Sequence, residues 1–273
     1  MTGPALNDEA AFSALTAKIS RDRGFGCASY KEKCVRRRIA VRMRARGVHS
    51  YAEYMRVLDA DPAEYERLMD ALTINVTKLF RNWDSYQALD RLVIPELWSR
   101  PGEIRIWSAG CASGEEPYSL AVLMYRHAER TNRLADIDRV TVIGTDIDRG
   151  SLEAAERGEF GEAAFADTPA ELRSRYFSES APHIVIPAVR RLVRLQRRDL
   201  LNDPPPRPQF DLIVCRNVLI YFDRATQESL FGKFHSALGP GGILMLGKVE
   251  TLLGDARSRF VAVEPRERIF RRS

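Results

Sequence analysis

The segment that limits the fold most is residues 104–120, with the sequence IRIWSAGCASGEEPYSL. A short apolar run precedes a turn of small residues, and a helix is predicted to begin at Glu115. Two glycines of the turn, Gly110 and Gly114, lack a Cβ and let the backbone approach a ligand closely. A strand, a glycine-containing turn and a helix N-terminus together form the nucleotide-binding crevice of a doubly wound α/β sheet.

The chemistry of this turn indicates the class of ligand. The dinucleotide-binding spacing Gly-x-Gly-x-x-Gly is absent, and the adjacent carboxylates of Glu115 and Glu116 would repel a pyrophosphate. They suit a ligand with hydroxyls and positive charge. S-adenosylmethionine has a ribose, a sulfonium and an ammonium group but no phosphate, so we expect it to be the cofactor. The alternative is an ordinary strand–turn–helix unit with a solvated acidic cap.

Composition narrows the class of protein. The chain has 273 residues and an apolar fraction of 45%, which suit a soluble protein of one large domain or two modest ones. Its four cysteines have no metal-ligand spacing, which predicts no metal site and favours a reduced cytoplasmic location. The N-terminus does not resemble a signal peptide, and no apolar run is long enough to span a bilayer. We expect a cytoplasmic monomer without membrane insertion.

Residues 1–74 are predicted to form a basic, all-helical N-terminal domain. Its second helix carries a narrow apolar stripe of Val35, Ile39 and Met43, and the rest of its surface is mostly basic. Eleven Lys and Arg residues lie between positions 18 and 46, against two acidic residues. Charge runs are usually solvated helix faces, but an imbalance of one sign favours binding of an acidic partner. Nucleic acid and an acidic protein helix are both candidates.

Residues 75–82 are predicted to link this domain to an α/β domain at 83–273 and to contribute to its cofactor site. In the α/β domain, an apolar strand over 140–148 ends in acidic residues at the carboxyl edge, where ligands bind. An acid at this edge commonly accepts hydrogen bonds from ribose hydroxyls, and Asp146 is favoured because it comes first. Asp148 is interpreted as the N-cap of the next helix.

Two other segments of the α/β domain carry specific predictions. Residues 83–98 are predicted to form one helix that leads to the first strand. Residues 158–198 are predicted to be a small insertion, with an antiparallel hairpin or ribbon of strands at 184–186 and 189–197.

The C-terminal part completes the predicted fold. A strand at 210–216 is followed at its carboxyl end by Asn217, where a reacting group would lie. A helix, a core strand at 243–246 and closing strands between 260 and 270 follow. The predicted fold class is therefore α/β: a doubly wound, Rossmann-like domain with a small β-subdomain insertion, preceded by an all-α N-terminal domain.

Five segments resemble one known family. They have the sequences NVTKLFR, WSAGCASGEEPYS, GTDID, DLIVCRNVLIYF and GGIL, at residues 75–81, 107–119, 144–148, 211–222 and 241–244. In these segments the chain is similar to the chemotaxis-receptor methyltransferases, the CheR family of protein-glutamate O-methyltransferases. The resemblance covers nearly the whole chain. Its second and fourth segments are specific, because we know of no other family that has both in this order.

The resemblance implies a reaction, a cofactor and a partner. It implies a Rossmann-like methyltransferase domain that uses S-adenosylmethionine to esterify glutamate side chains on the cytoplasmic helical region of bacterial chemoreceptors. It implies that Arg81 and Tyr221 lie nearest the chemistry. The cofactor is expected to contact Gly110 of the turn and nine residues that the resemblance implies: Asn75, Thr77, Arg81, Glu116, Asp146, Asp199, Leu200, Asn217 and Val218. The basic helix would attract the clustered receptor glutamates through Arg37, Arg38, Arg42, Arg44 and Arg46.

The sequence departs from the family pattern at several points. Leu79 stands where the family often has a second Phe, and Asp199 stands where some members carry Asn. Lys248 replaces the more usual His before the glutamate that follows the last core strand. The segment between residues 177 and 199 is shorter than in members that bind a C-terminal pentapeptide of the receptor. We therefore expect no pentapeptide tethering.

Two alternative functions use the same predicted cofactor. One is a methyltransferase for nucleic acid or a small molecule. Against it, the prolines at 204–206 precede a strand instead of following one as in an Asp-Pro-Pro-Tyr motif, and the chain has no catalytic Pro-Cys dipeptide. The other is a non-catalytic binding protein, which the presence of Arg81 and Tyr221 disfavours. We expect no nucleic-acid partner.

Overall fold

Helices α1 to α4 build the N-terminal unit of the computed structural model. The structure describes residues 9–73 and 76–273. The four helices span Glu9–Arg23, Glu32–Ala45, Tyr51–Ala60 and Pro62–Leu72. At the start of α3, the Ser50 hydroxyl accepts the N–H of Glu53 while the Glu53 carboxylate accepts the N–H of Ser50, which completes a capping box. The all-helical character predicted for this part of the chain is confirmed.

The apolar faces of these helices form the core of the N-terminal unit. The predicted stripe of α2, Val35, Ile39 and Met43, is buried, and α2 packs against α4 while α1 packs against α3. Residues 221–226 group with this unit. Phe222 forms an isolated antiparallel bridge with Tyr30, and their ring centroids are 4.8 Å apart.

The second unit, residues 75–220 and 227–273, is organised around a sheet. Strands β1 to β9 span Ile104–Ala109, Val140–Asp146, Glu159–Phe160, His183–Ile184, Val193–Arg197, Phe210–Cys215, Leu238–Leu246, Phe260–Glu264 and Ile269–Arg272. Among the described residues, the main sheet has seven strands in the order β5-β2-β1-β6-β7-β9-β8. The first five are parallel, and β9 and β8 close the sheet in antiparallel pairing. The predicted doubly wound α/β fold is confirmed.

Helices connect and cover these strands. Helices α5 to α12 span Trp83–Leu92, Ile94–Ser99, Glu115–Arg130, Arg149–Arg157, Ala170–Tyr176, Pro187–Arg190, Arg224–Ala237 and Ala256–Arg259. The prediction of one helix over 83–98 is wrong, because the helix breaks at Val93. Pro95 follows two residues later and lacks the N–H that would continue the hydrogen-bond ladder of α5, so it lies in the first turn of α6 instead.

The predicted hairpin within 158–198 is only partly correct. β3 and β4 form a separate two-stranded antiparallel sheet. Residues 187–190, however, form the short helix α10, and β5 pairs in parallel with β2 at the edge of the main sheet. The alternation of apolar and basic residues in β5 suits an edge strand, in which Val193 is buried while Arg194 is exposed. The insertion therefore ends before β5.

The order of the strands determines where a ligand can bind. From β1 the chain continues to β2 on one side of β1, whereas β6 lies on the other side. The order reverses between these neighbours, and ligands of open α/β sheets bind outside the carboxyl ends of the strands at this switch point. Within the described ranges, no helix combines the length and apolar character needed to cross a membrane.

Candidate active site

The turn after β1 folds over the carboxyl end of β2. The N–H of Gly110 donates to the carbonyl of Thr145 at 2.9 Å. The carboxylate of Asp146 accepts the N–H of Ala112 at 2.8 Å through Oδ2 and the N–H of Asp148 at 2.9 Å through Oδ1. Each carboxylate oxygen has a second lone-pair direction, so Asp146 can still accept hydrogen bonds from a ligand. The turn and Asp146 thus lie together at the predicted edge.

Asp148 has the structural role that the sequence predicts. Its carboxylate accepts the N–H of Ser151 at 3.3 Å and the hydroxyl of the same residue at 3.2 Å, which caps α8. This prediction is confirmed. Asp148 is a helix cap, whereas Asp146, two residues earlier, is a candidate ligand contact.

Gly110 allows the turn after β1 to approach the segment after β6. A Cβ built on Gly110 would lie 2.6 Å from Cγ2 of Val218, and Gly110 has a φ of +81°. Both the close approach and the left-handed backbone favour glycine at this position. The structure therefore brings together two predicted cofactor residues that are far apart in sequence.

Glu116 is a buried carboxylate at the start of α7. The hydroxyl of Ser108, at the end of β1, donates to Oε1 of Glu116 at 2.8 Å. Burial raises the pKa of Glu116 to about 7, while the positive charge of Arg216 and the Ser108 hydrogen bond oppose the shift. Arg81 also contributes a smaller opposing effect. The positive charges of both arginines thus favour the ionised form of Glu116.

Arg216 was not among the predicted site residues. It follows the last residue of β6, and its side chain is buried above the ring of Tyr86, with the guanidinium carbon 5.3 Å from the ring centroid. Nη2 donates to Oδ1 of Asn82 at 3.1 Å, but Nε has no hydrogen-bond partner within the described residues. A charged residue directly after an apolar strand, at the carboxyl edge, was the sequence signal that could have identified it.

Asn217 is the second residue at this edge with an unsatisfied polar atom. Its Oδ1 is buried and lacks a partner in the part of the chain that the structure describes. Its backbone has a φ of +62°, a left-handed conformation that Asn tolerates better than most residues. Buried polar groups are nearly always hydrogen-bonded, so the orphaned atoms of Asn217 and Arg216 indicate a polar ligand.

The segment that begins the second unit is anchored to α7. The N–H of Phe80 donates to the hydroxyl of Ser119 at 2.8 Å, and the N–H of Asn82 donates to Asp167 at 2.9 Å. The guanidinium of Arg81 donates to the carbonyl of Val76 at 2.9 Å. Thr77 lies in the same segment and is half-buried. Asn75 lies outside the described residues.

The loop with Asp199 and Leu200 begins beside β2, because the N–H of Arg198 donates to the carbonyl of Asp146 at 2.9 Å. The carboxylate of Asp199 accepts the N–H of Leu201 and the side-chain amide of Asn202, and it therefore shapes its own loop. Leu200 offers its carbonyl to the ammonium of Lys233 at 2.7 Å.

Tyr221 groups with the N-terminal unit. Its carbonyl accepts the N–H of Lys31 at 2.8 Å, and the guanidinium carbon of Arg38 lies 5.1 Å from its ring centroid. This distance allows a cation–π interaction. Arg38 also donates to the carbonyl of Leu72. Arg38 is therefore half-buried against Tyr221 and is not a freely exposed charge.

The other four predicted receptor-binding arginines differ in their surroundings. Arg42 pairs with the fully buried Glu64 through two hydrogen bonds of 3.0 and 2.7 Å. Arg46 pairs with Asp61 at 3.1 Å. Arg37 and Arg44 are exposed, and no carboxylate of the described residues lies within ion-pair distance of either.

Family models match both parts of the chain. The CheR methyltransferase SAM-binding domain matches residues 75–269, and the CheR methyltransferase all-alpha domain matches residues 10–73. The chain belongs to the CheR methyltransferase family. It is therefore a methyltransferase that depends on S-adenosylmethionine, and the resemblance found in the sequence is confirmed.

Three chemotaxis protein methyltransferases are similar to this CheR-family chain over most of their own length. A chemotaxis protein methyltransferase from Listeria innocua is 34% identical over 244 residues, which covers 89% of this chain and 90% of the relative. The one from Listeria monocytogenes is 35% identical over the same length. Chemotaxis protein methyltransferase 2 from Pseudomonas aeruginosa is 32% identical over 249 residues, which covers 89% of this chain and 86% of the relative.

The residues of this CheR-family site fit S-adenosylmethionine. Asp146 has acceptor capacity for ribose hydroxyls, and the turn at Gly110 admits a ligand close to the backbone. Glu116 and Arg216 offer opposite charges, which match the ammonium and carboxylate groups of the methionyl part. The acidic residues at the start of α7 do not suit a phosphate.

Proposed function

We propose that this CheR-family chain methylates glutamate side chains on the cytoplasmic helical region of chemoreceptors, acting in the cytoplasm as a monomer. The observation that carries the proposal is the family match over residues 75–269, together with relatives that are named chemotaxis protein methyltransferases. The product besides the methyl ester would be S-adenosylhomocysteine, and the proposed reaction uses no metal.

The proposed reaction requires the protein mainly to position the reacting groups. The cofactor supplies an electrophilic methyl group on its sulfonium. A glutamate carboxylate is already ionised at pH 7, so no general base is needed. The chain must hold the reacting atoms about 3–3.5 Å apart along the line of attack and exclude water. Arg81 or Tyr221 would orient the incoming carboxylate by hydrogen bonding and would not transfer a proton.

The cofactor would be held by residues from several strand ends. In this proposal Asp146 accepts the ribose hydroxyls, Glu116 and Arg216 bind the charged methionyl groups, and Asn217 uses its amide oxygen. Val218 and Gly110 shape the wall between β1 and β6. The remaining contacts come from Asn75, Thr77, Arg81, Asp199 and Leu200.

The receptor would be attracted by the exposed charges of α2. Clustered receptor glutamates carry negative charge, and Arg37 and Arg44 have no described carboxylate partner that would neutralise them. Arg38, Arg42 and Arg46 add to the positive field, but each already has a partner in the N-terminal unit. We therefore assign most of the electrostatic attraction to Arg37 and Arg44.

We also propose that the enzyme works without a pentapeptide tether. The separate sheet of the insertion consists of β3 and β4, which are two residues each. A peptide that binds by strand addition depends on main-chain hydrogen bonds to a sheet edge. The short edge of this sheet offers few of them.

The substrate can be tested with radiolabelled cofactor. Purified protein would be incubated with methyl-labelled S-adenosylmethionine and a panel of chemoreceptor cytoplasmic fragments, with duplex DNA and RNA in parallel reactions. We expect label in a receptor fragment that alkali releases as methanol, because carboxyl esters hydrolyse and methylated nitrogen does not. Alkali-stable label, or label in nucleic acid alone, would show that the proposed substrate is wrong.

A further inference from the structure

Glu250 is a buried carboxylate that accepts hydrogen bonds from the segment after β6. It follows β7 in the chain and is 4% exposed. Oε2 accepts the N–H of Gly247 at 2.7 Å and that of Asn217 at 3.0 Å. Oε1 accepts the N–H of Val218 at 3.0 Å and that of Ile220 at 3.3 Å. One side chain thus satisfies four backbone donors.

Three of these donors, the N–H groups of Asn217, Val218 and Ile220, belong to the turn that follows β6. At Asn217 the chain leaves β6 with a φ of +62°, a left-handed conformation that is uncommon for residues other than glycine. Unusual backbone conformations persist only when surrounding contacts hold them in place. Hydrogen bonds from N–H groups to a carboxylate are stronger than those between neutral groups. Glu250 is therefore well suited to hold this turn in one conformation.

Gly247 lets the carboxylate reach these donors. A Cβ at this position would lie 2.8 Å from Oε2 of Glu250 and 2.9 Å from the backbone nitrogen of Asn217. The N–H of Glu250 donates to the carbonyl of Gly247 at 2.9 Å, which closes a turn between the two residues. Gly247 and Glu250 form one unit, which we call the carboxylate clamp.

The clamped turn carries side chains of the candidate cofactor site. The buried Oδ1 of Asn217 lacks a partner within the described ranges, and Val218 packs where a Cβ of Gly110 would lie. A change in the backbone at 217–220 would move both side chains. We propose that Glu250 is a positioning residue, which holds Asn217 and Val218 for cofactor binding through their backbone N–H groups. This inference rests on the cofactor site of the proposed function.

The isosteric change Glu250→Gln tests the role of the carboxylate. In either orientation of the amide, its NH₂ group faces two N–H donors and can accept from neither. We expect isothermal titration of S-adenosylhomocysteine to give a Kd at least tenfold higher than for the wild type. Hydrogen exchange followed by mass spectrometry should be faster at residues 217–220. The KM for S-adenosylmethionine should rise more than kcat falls.

Two further variants separate positioning from general stability. Ile243→Ala removes a buried side chain within β7, four residues before Gly247, and we expect a lower Tm with a Kd within about twofold of wild type. Gly247→Ala keeps the carboxylate but crowds it, and we expect weaker binding as for Glu250→Gln. The Gly247 variant also keeps the test valid if Glu250→Gln does not fold.

Several outcomes would overturn the inference. Wild-type affinity and exchange rates in Glu250→Gln would do so, as would wild-type affinity in Gly247→Ala. An equal loss of affinity in Ile243→Ala would show that reduced stability alone explains the weaker binding of Glu250→Gln. If the wild type itself does not bind S-adenosylhomocysteine, the proposed cofactor site is wrong, and so is this inference. Failure to methylate a receptor, with binding intact, would affect the proposed substrate only.

Discussion

Glu116 has a pKa that makes its charge sensitive to conditions near neutrality. Burial raises this pKa to about 7, and the nearby charge of Arg216 limits the rise. At pH 7 the cofactor-free protein therefore contains Glu116 in both its neutral and ionised forms. A cationic group of the cofactor would favour the ionised form, so cofactor binding and deprotonation of Glu116 should be coupled.

The first prediction concerns the pH dependence of cofactor affinity. Because the ionised form binds an ammonium group better, the affinity for S-adenosylhomocysteine should fall as the pH decreases from 8 to 6. Isothermal titration at several pH values measures this change. Glu116→Gln should bind more weakly, at least tenfold at pH 8, and its affinity should vary less with pH. Equal pH dependence in both proteins would assign the effect to another group.

The same shift predicts the stability of the cofactor-free enzyme. The folded pKa of Glu116 lies above the unfolded value of about 4.5, so its favourable contribution is complete below pH 4.5 and is lost as the pH rises through about 7. At pH 8, Glu116→Gln should therefore raise the free energy of unfolding, by about 3 kcal/mol. Urea unfolding at pH 8 measures this, and a destabilised variant would contradict the proposed burial effect.

Asp146 and Asp148 offer a matched pair for the third prediction. Asp146→Ala should raise the Kd for S-adenosylhomocysteine at least tenfold, because it removes the proposed ribose acceptor and the bond that holds the N–H of Ala112. Asp148→Ala removes the cap of α8 and should lower the free energy of unfolding by about 1 kcal/mol, with affinity retained. Titration and thermal unfolding of both variants test this, and loss of affinity in Asp148→Ala alone would reverse the two roles.

At the scale of the element, α2 combines structural and exposed arginines on one helix. Arg42 satisfies Glu64, which is fully buried and also accepts the hydroxyl of Tyr54 at 2.8 Å. Arg37 and Arg44 are exposed, and no carboxylate partner is found for them in residues 9–73 and 76–273. The charge run therefore contains both an arginine that neutralises a buried carboxylate and exposed arginines, which the count of basic residues alone does not separate.

The fourth prediction separates these purposes by mutation. Arg42→Ala leaves a buried carboxylate without its main partner and should lower the free energy of unfolding by about 3 kcal/mol. Arg37→Ala with Arg44→Ala should leave stability within about 0.5 kcal/mol and raise the KM for the receptor severalfold at low salt. Unfolding and methylation assays from 50 to 500 mM salt measure both effects. Wild-type KM and wild-type salt dependence in the double variant would exclude the proposed attraction.

At the scale of the whole molecule, the chain joins a helical unit to a Rossmann-like unit with a small insertion. The insertion contributes β3 and β4, and the chain then returns to the main sheet as β5. An enzyme that binds no receptor tail must find its substrate through the methylation region itself. The proposed attraction by Arg37 and Arg44 would then have more weight in recognition than in a tethered enzyme.

The fifth prediction follows from the proposed absence of a tether. Receptor fragments with and without their last five residues should be methylated at the same initial rate, within about twofold, because the tail makes no contact that contributes to binding. Initial rates at substrate concentrations below KM test this. Micromolar binding of the isolated pentapeptide, or a rate that drops tenfold on truncation, would show that the tether exists.

The sequence by itself determined the local parts of this protein. The capping box of Ser50 and Glu53, the strand–turn–helix unit around Gly110 and the cap at Asp148 all form between residues a few positions apart. Local hydrogen bonds and backbone preferences decide such features, so the residue types predict them. Family-specific segments also allowed the reaction class to be inferred, because they retain chemistry as well as conformation.

Only the tertiary structure decided which distant groups meet. The pattern of β5 suited a hairpin as well as an edge strand, and the exposed edge of β2 determined its partner. The pairing of Arg42 with Glu64 and the clamp of Glu250 on Asn217 join residues 22 and 33 positions apart. Burial makes these contacts obligatory, because a carboxylate removed from water must find donors. The sequence does not identify those donors, since the fold alone brings them within reach.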